Sequence, residues 1–145
     1  MKLRFASLIA LAFAMAGAIF MVFRDYVFSN NPLAITIQIF SAALMIWARI
    51  TFCRRSFHSA ANTSKGLLIT TGPYPWLRHP IYAALIYFFS ACIISYPVLD
   101  SIVAMIIICI ALIVRMFIEE RFLLSTYHEY AQYSKTTKRI FPFVF

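Results

Sequence analysis

Charge-free apolar runs long enough to cross a lipid bilayer are what most limit the folds open to this chain. Residues 5–23 carry no charged side chain, and neither do residues 80–96. Residues 32–52 carry only Arg49, close to the end of the run, and residues 98–118 carry only Asp100 and Arg115, near its two ends. About 18 or more such residues wound as a helix cross the hydrocarbon core. Backbone polar groups inside lipid must be satisfied within their own segment, which selects helices. The pattern predicts an all-α integral membrane protein with about four transmembrane helices, at 5–23, 32–52, 80–96 and 98–118, forming a single membrane-embedded domain over residues 1–145. Composition agrees. With 63% of residues hydrophobic and 12% charged, too little polar side chain is present to cover a soluble domain of this size.

The joints between runs are marked by familiar stop and start chemistry. Asn30 or Asn31 can cap the second run, and Pro32 suits a first helical position. The second run ends in a basic cluster of Arg49, Arg54 and Arg55, and a polar loop opens the connection 53–79. That connection closes on Thr71-Gly72-Pro73-Tyr74-Pro75, a sequence that cannot continue a helix and reads as a rigid turn. Pro97 breaks the chain between the third and fourth runs, and the short link there predicts a tight antiparallel hairpin. The tail, 119–145, begins with a segment to about residue 133 that reads as an amphipathic helix lying on the membrane surface. The opening Met-Lys-Leu-Arg and Ala14-Met15-Ala16 also resemble a secretory signal. The whole apolar run, residues 5–23, is long for a signal, which favours a retained span.

The formal charge is +8. Its basic residues flank apolar runs, which points to anionic lipid headgroups as partner and away from nucleic acid. An even number of spans puts both termini on one side. The central loop, with Arg54, Arg55, Lys65 and Arg78, and the tail, with Arg121, Lys135, Lys138 and Arg139, share that side. The opposite side has Arg24, Asp25 and Asp100. The positive-inside rule then places both termini and the polar stretches in the cytoplasm. Cys53, Cys92 and Cys109 lack metal-ligand spacing and read as small packing residues. His58, His79 and His128 have no partners at ligand spacing, and no phosphate-binding glycine loop appears, so no metal and no nucleoside triphosphate is expected.

Three stretches are able to carry chemistry. The first, residues 72–82, is Gly-Pro-Tyr-Pro-Trp-Leu-Arg-His-Pro-Ile-Tyr. It delivers Arg78 and His79 to the start of a helix whose first position is Pro80, an arrangement that suits an anion such as a carboxylate. Tyr74, Trp76, Arg78 and Tyr82 also fit an ordinary interfacial belt. The second stretch is Arg115-Met-Phe-Ile-Glu119-Glu120. Arg115 and Glu119 share a helix face, as a site or as a helix-end salt bridge. The third holds Tyr127, Tyr130 and Tyr133 before Lys138-Arg139, and its spacing favours an aromatic interfacial anchor. A small transporter or a non-catalytic scaffold is a rival from another class, although the centres of the runs carry no charge to mark a substrate path.

Taken together, the glycine–proline turn with Arg-His-Pro-x-Tyr, the hairpin, the glutamate pair and the basic tail resemble the isoprenylcysteine carboxyl methyltransferase family. That family belongs to a broader group that includes membrane phospholipid methyltransferases. The likeness covers roughly residues 45–145. It implies S-adenosylmethionine as methyl donor, bound at the cytoplasmic face without a soluble nucleotide-binding domain. It also implies cofactor contacts from Tyr74, His79, Pro80, Ile81 and Tyr82, and from Gly66, Leu67, Leu68 and Ile69 just before the turn. Arg78 is placed to grip the cofactor's carboxylate, and Glu119, with Glu120 beside it, to meet its amino or ribose groups. Arg115, one helical turn earlier, maps to the position linked to substrate. Arg115 and Glu119 are therefore the expected catalytic pair. The expected reaction is methylation of a lipid-like carboxylate entering from the bilayer, with a phospholipid amine as the alternative acceptor.

Overall fold

The computed structural model describes residues 2–52 and 68–142. Among these described residues five helices follow one another, α1 (Lys2–Phe23), α2 (Pro32–Phe52), α3 (Pro80–Ser95), α4 (Leu99–Thr126) and α5 (Tyr130–Thr136). Three of them, α1, α2 and α4, are long and apolar enough to cross a membrane. The chain is an all-helical membrane protein.

Two sequence expectations are adjusted. The third run does form a helix, but α3 has only 16 residues. At 1.5 Å per residue it reaches about 24 Å, less than a hydrocarbon core of about 30 Å. Pro80 fixes its start, and Pro97, just beyond the Tyr96 cap, fixes its end. The helix expected to lie on the surface from residue 119 is instead the continuation of α4 to Thr126, followed by the separate short α5. The 28 residues of α4 extend about 42 Å. That is longer than a hydrocarbon core of about 30 Å is thick, and Glu119 and Glu120 lie in the last turns of the helix.

Local chemistry sets the helix ends. The Asn31 side chain accepts from the backbone N–H groups of Leu33, at 3.0 Å, and Ala34, at 3.4 Å, so Asn31 is the cap of α2. Helix α1 ends with Asp25 at φ 55°. The Tyr26 N–H reaches back to the Met21 carbonyl, and the Asp25 N–H to that of Val22. This pattern reverses the chain after α1 and turns Tyr26 toward the start of α4.

The helices pack in the spatial order α2, α3, α4, α1. Helix α1 lies along α4 and α2 along α3, and these two pairings are more extensive than that of α3 with α4. The α1–α4 seam has a sequence signature. Ser7, Ala10, Ala14, Gly17 and Met21, spaced alternately three and four apart, are all buried. Small residues let the two backbones approach closely. A Cβ on Gly17 would come within 2.8 Å of Ile108 Cγ1 and 3.3 Å of the Ala104 carbonyl. On the outward faces, Phe40 is 71% exposed and Ile50 70%. Such exposure suits lipid and would be costly in water.

Candidate active site

The end of the bundle where α3 begins and α4 finishes carries a dense polar cluster, built upon the turn before α3. Gly72 opens that turn at φ 64°, and a Cβ there would run into the Thr51 side chain at the end of α2. Glycine is required for both reasons. The Pro73 carbonyl accepts from the N–H groups of Trp76 and Leu77, which tightens the turn. The C-terminal tail then docks against it. The Arg78 N–H donates to the Lys138 carbonyl at 2.7 Å, and the His79 N–H to that of Arg139 at 3.1 Å. Leu77 and Lys138 form a parallel bridge.

Adjacent glutamates on α4 serve two different clusters, because neighbouring residues on a helix point about 100° apart. Glu120 is buried and surrounded by donors. Arg78 Nη1 stands 3.2 Å from its Oε1, and Arg139 Nε 3.1 Å from its Oε2. His79 Nε2 is 3.4 Å away and the Tyr130 hydroxyl 3.5 Å. One carboxylate thus joins the turn, α4, α5 and the tail. Removing it would strand two guanidinium groups in a largely desolvated place.

Glu119 faces the other way. Its Oε2 accepts from the Tyr82 hydroxyl at 2.7 Å. The same hydroxyl oxygen accepts from Arg115 Nε at 3.0 Å. Arg115 and Glu119, one helical turn apart, therefore meet on a tyrosine from α3. Arg115 is buried, and its Nη1 donates to the Ser7 hydroxyl at 2.8 Å and the Ser7 carbonyl at 3.2 Å. The His79 ring lies 5.6 Å from that of Tyr82, centroid to centroid, and links the two clusters.

The sequence-predicted residues divide as follows. The structure brings together Arg78, His79, Tyr82, Arg115, Glu119 and Glu120. Pro80 is the buried first residue of α3, and Ile81 is half-buried beside it. Tyr74 is buried against Phe52, with its carbonyl accepting from the Tyr133 hydroxyl at 2.6 Å. Leu68 and Ile69 are half-buried and lead into the turn. Gly66 and Leu67 lie outside the described residues.

The tyrosine stripe is corrected. Tyr130 is only 2% exposed and Tyr133 is held beneath the turn, so neither is a free interfacial anchor. Burial and the nearby Glu120 hold the Tyr130 phenol above its ordinary range, and burial pushes Tyr133 up to about 12. Both stay neutral donors at physiological pH. Ser7 is a site neighbour that the sequence reading did not select, and Tyr130 and Arg139, from the stretch read as an interfacial anchor, are two more. Trp76, by contrast, is 55% exposed and packs on Trp47 at 5.9 Å, as an interfacial belt would.

Two observations bear on what the cluster can hold. Helix α3 starts without a side-chain cap, so the N–H groups of its first turn have no capping side chain as partner. Arg78 Nε is buried and lacks a hydrogen-bond partner. These are donors for a carboxylate, and Glu119 nearby is an acceptor for cationic or hydroxyl groups. Among the described residues, no group of three metal-ligating side chains occurs. An apolar groove of about 650 Å³ between α1 and α4 lies beside Asp100, at the other end of α4. It is lined by Phe13, Phe20, Val103 and Ile107, among others, and is a lipid-facing feature away from the polar cluster.

At the mouth of this bundle of apolar helices an arginine, a tyrosine and a glutamate are thus held together by hydrogen bonds. A family model described as phospholipid methyltransferase matches residues 33–130. The match takes in well over half of the chain, from the start of α2 to the start of α5, and the protein belongs to that family. It is a membrane methyltransferase, of the broader group that the motifs resembled. Comparison with curated proteins and with solved structures gave no match.

Proposed function

We propose that the protein transfers a methyl group from S-adenosylmethionine to the headgroup amine of a membrane phospholipid. The observation that carries this reading is the Tyr82 hydroxyl, which donates to Glu119 while it accepts from Arg115. The cofactor supplies a methyl already activated on a sulfonium, so the protein's part is alignment and charge placement. The first turn of α3 and Arg78 Nε suit the cofactor's carboxylate, and Glu119 suits its amino or ribose groups. Glu119 also favours a cation beside it and is an acceptor for the proton that an ammonium headgroup must lose before its nitrogen can attack.

The carboxylate acceptor expected from the sequence rested on Arg115 as its cationic partner. Arg115 Nε and Nη1 are already engaged, by Tyr82 and Ser7. That engagement, together with the description of the matched family, favours the amine. The cytoplasmic placement of the site rests on the lysines and arginines of the central loop and tail. The four-span arrangement requires α3 to cross with its short apolar length, helped by the flanking turn and by local thinning of the bilayer.

The test is methyl transfer from radiolabelled S-adenosylmethionine to phosphatidylethanolamine and to prenylcysteine analogues, with S-adenosylhomocysteine binding measured by calorimetry. Label in the phospholipid is expected. Label in the prenylcysteine alone would return the acceptor to a carboxylate. No heat at millimolar S-adenosylhomocysteine would sink the cofactor assignment.

A further inference from the structure

We propose that Ser7 of α1 is a positioning residue for methyl transfer, fixing Arg115 so that its Nε is aimed at the Tyr82 hydroxyl. The inference rests on the proposed function. It adds a residue from a helix that lies wholly outside the family-matched segment 33–130.

Ser7 is fully buried and Arg115 nearly so. A buried guanidinium has five donors to satisfy, and its planar fork holds a direction only when several of them are bound. Nη1 is bound twice by one residue, to the Ser7 hydroxyl at 2.8 Å and to its carbonyl at 3.2 Å. With that side of the fork anchored, Nε reaches the Tyr82 oxygen at 3.0 Å. The hydroxyl proton of Tyr82 is thereby directed to Glu119 at 2.7 Å. Without the Ser7 hydroxyl, Nη1 keeps only the longer contact to the residue 7 carbonyl, the guanidinium is held less firmly, and the Tyr82 proton is less strictly directed to Glu119.

The seam explains why Ser7 can do this. It is the first member of the buried stripe that continues through Ala10, Ala14, Gly17 and Met21. The close approach at Gly17 holds the α1 backbone against α4. A serine at the polar end of such a seam offers two acceptors, its hydroxyl and its carbonyl, to the neighbouring helix. Helix α1 is thus part of the site as well as a membrane anchor.

The test compares full-length wild type with Ser7→Ala and Ser7→Thr in one detergent, by two readouts. The first is methyl-transfer kinetics. Ser7→Ala is expected to lower kcat about tenfold or more, as a small misalignment near the reacting groups does. KM for S-adenosylmethionine and the affinity for S-adenosylhomocysteine should stay within about twofold, and Ser7→Thr, which restores a hydroxyl, should recover most of kcat. The second readout is independent of activity. The Arg115 Nε–H resonance, assigned by its disappearance in Arg115→Lys, should be protected from solvent exchange in wild type and in Ser7→Thr, and should exchange rapidly in Ser7→Ala. An active wild type whose Ser7→Ala variant keeps its kcat overturns the proposal, and so does an unchanged Arg115 resonance. A wild type that neither binds S-adenosylhomocysteine nor transfers methyl overturns the functional reading itself, and the positioning role with it.

Discussion

Two triads of arginine, tyrosine and carboxylate stand at opposite ends of the bundle. At one end Arg24 Nη2 donates to the Tyr26 hydroxyl at 3.2 Å and to Asp100 at 3.0 Å, and Tyr26 donates to Asp100 at 2.8 Å. At the other, Arg115 donates to Tyr82, and Tyr82 donates to Glu119. The chemical groups are nearly the same. Their surroundings differ. The side chains of Arg24 and Asp100 are 55% and 37% exposed, so water screens and replaces their contacts. Arg115 is buried and anchored to a second helix, so its contacts fix direction. The exposed triad clips the end of α1 to the start of α4. The buried one can aim a proton and a charge. Composition of a cluster therefore says less about its role than the depth at which the fold places it.

The sharpest way to break this comparison is to make the same change at both ends. Tyr82→Phe or Glu119→Gln should lower methyl transfer by about 100-fold or more, the usual scale for losing a positioned acid–base or electrostatic group. Tyr26→Phe or Asp100→Asn should leave the rate within about twofold. Equal losses at the two ends would refute the distinction. Stability should separate next. Glu120→Ala strands Arg78 and Arg139 and should cost about 3 kcal/mol in detergent denaturation, as breaking a buried ion pair does. Gly72→Ala should cost about 2 kcal/mol, from positive φ and collision with Thr51. Arg24→Ala should leave the melting temperature within experimental scatter, since the group is open to solvent.

The smallest effect is alkaline. Burial raises the Tyr133 phenol to about 12, against about 10 in an unfolded chain. The folded protein keeps this proton where the unfolded chain loses it. That contribution to stability is complete below about pH 10 and disappears as pH rises toward 12. Tyr133→Phe should flatten the alkaline limb of a stability–pH curve, and an unchanged limb would show that Tyr133 is not held as described.

The membrane architecture was legible because it depends on local quantities. Run length and charge placed α1, α2 and α4, and Asn31 and Pro32 marked the start of α2. Pro80 and Pro97 marked the ends of α3, although the shortfall in its span emerged only from its helical extent. The turn and the glutamate pair were visible as charged or conformationally special residues next to apolar runs. That neighbouring glutamates divide their duties was implicit in the helical repeat. What the sequence did not show depends on which helices touch. Ser7 meets Arg115 only because α1 packs on α4, and its one local sign is the three-and-four spacing of small residues. Arg139 and Tyr130 looked like interfacial anchors until the tail was seen to fold back beneath the turn.

The docking of the tail on the turn has a bearing on how the protein is made. Residues 77 and 138 pair across most of the later half of the chain. The last ligand of Glu120, Arg139, follows every helix in sequence. A nascent chain therefore commits all of its apolar segments to the bilayer before the polar cluster can close. Until then a premature product has Arg78 and His79 without their backbone partners, and the cluster around Glu120 is incomplete. Synthesis and competence are separated in time, and a chain truncated before residue 138 is predicted to be an inserted but inert protein.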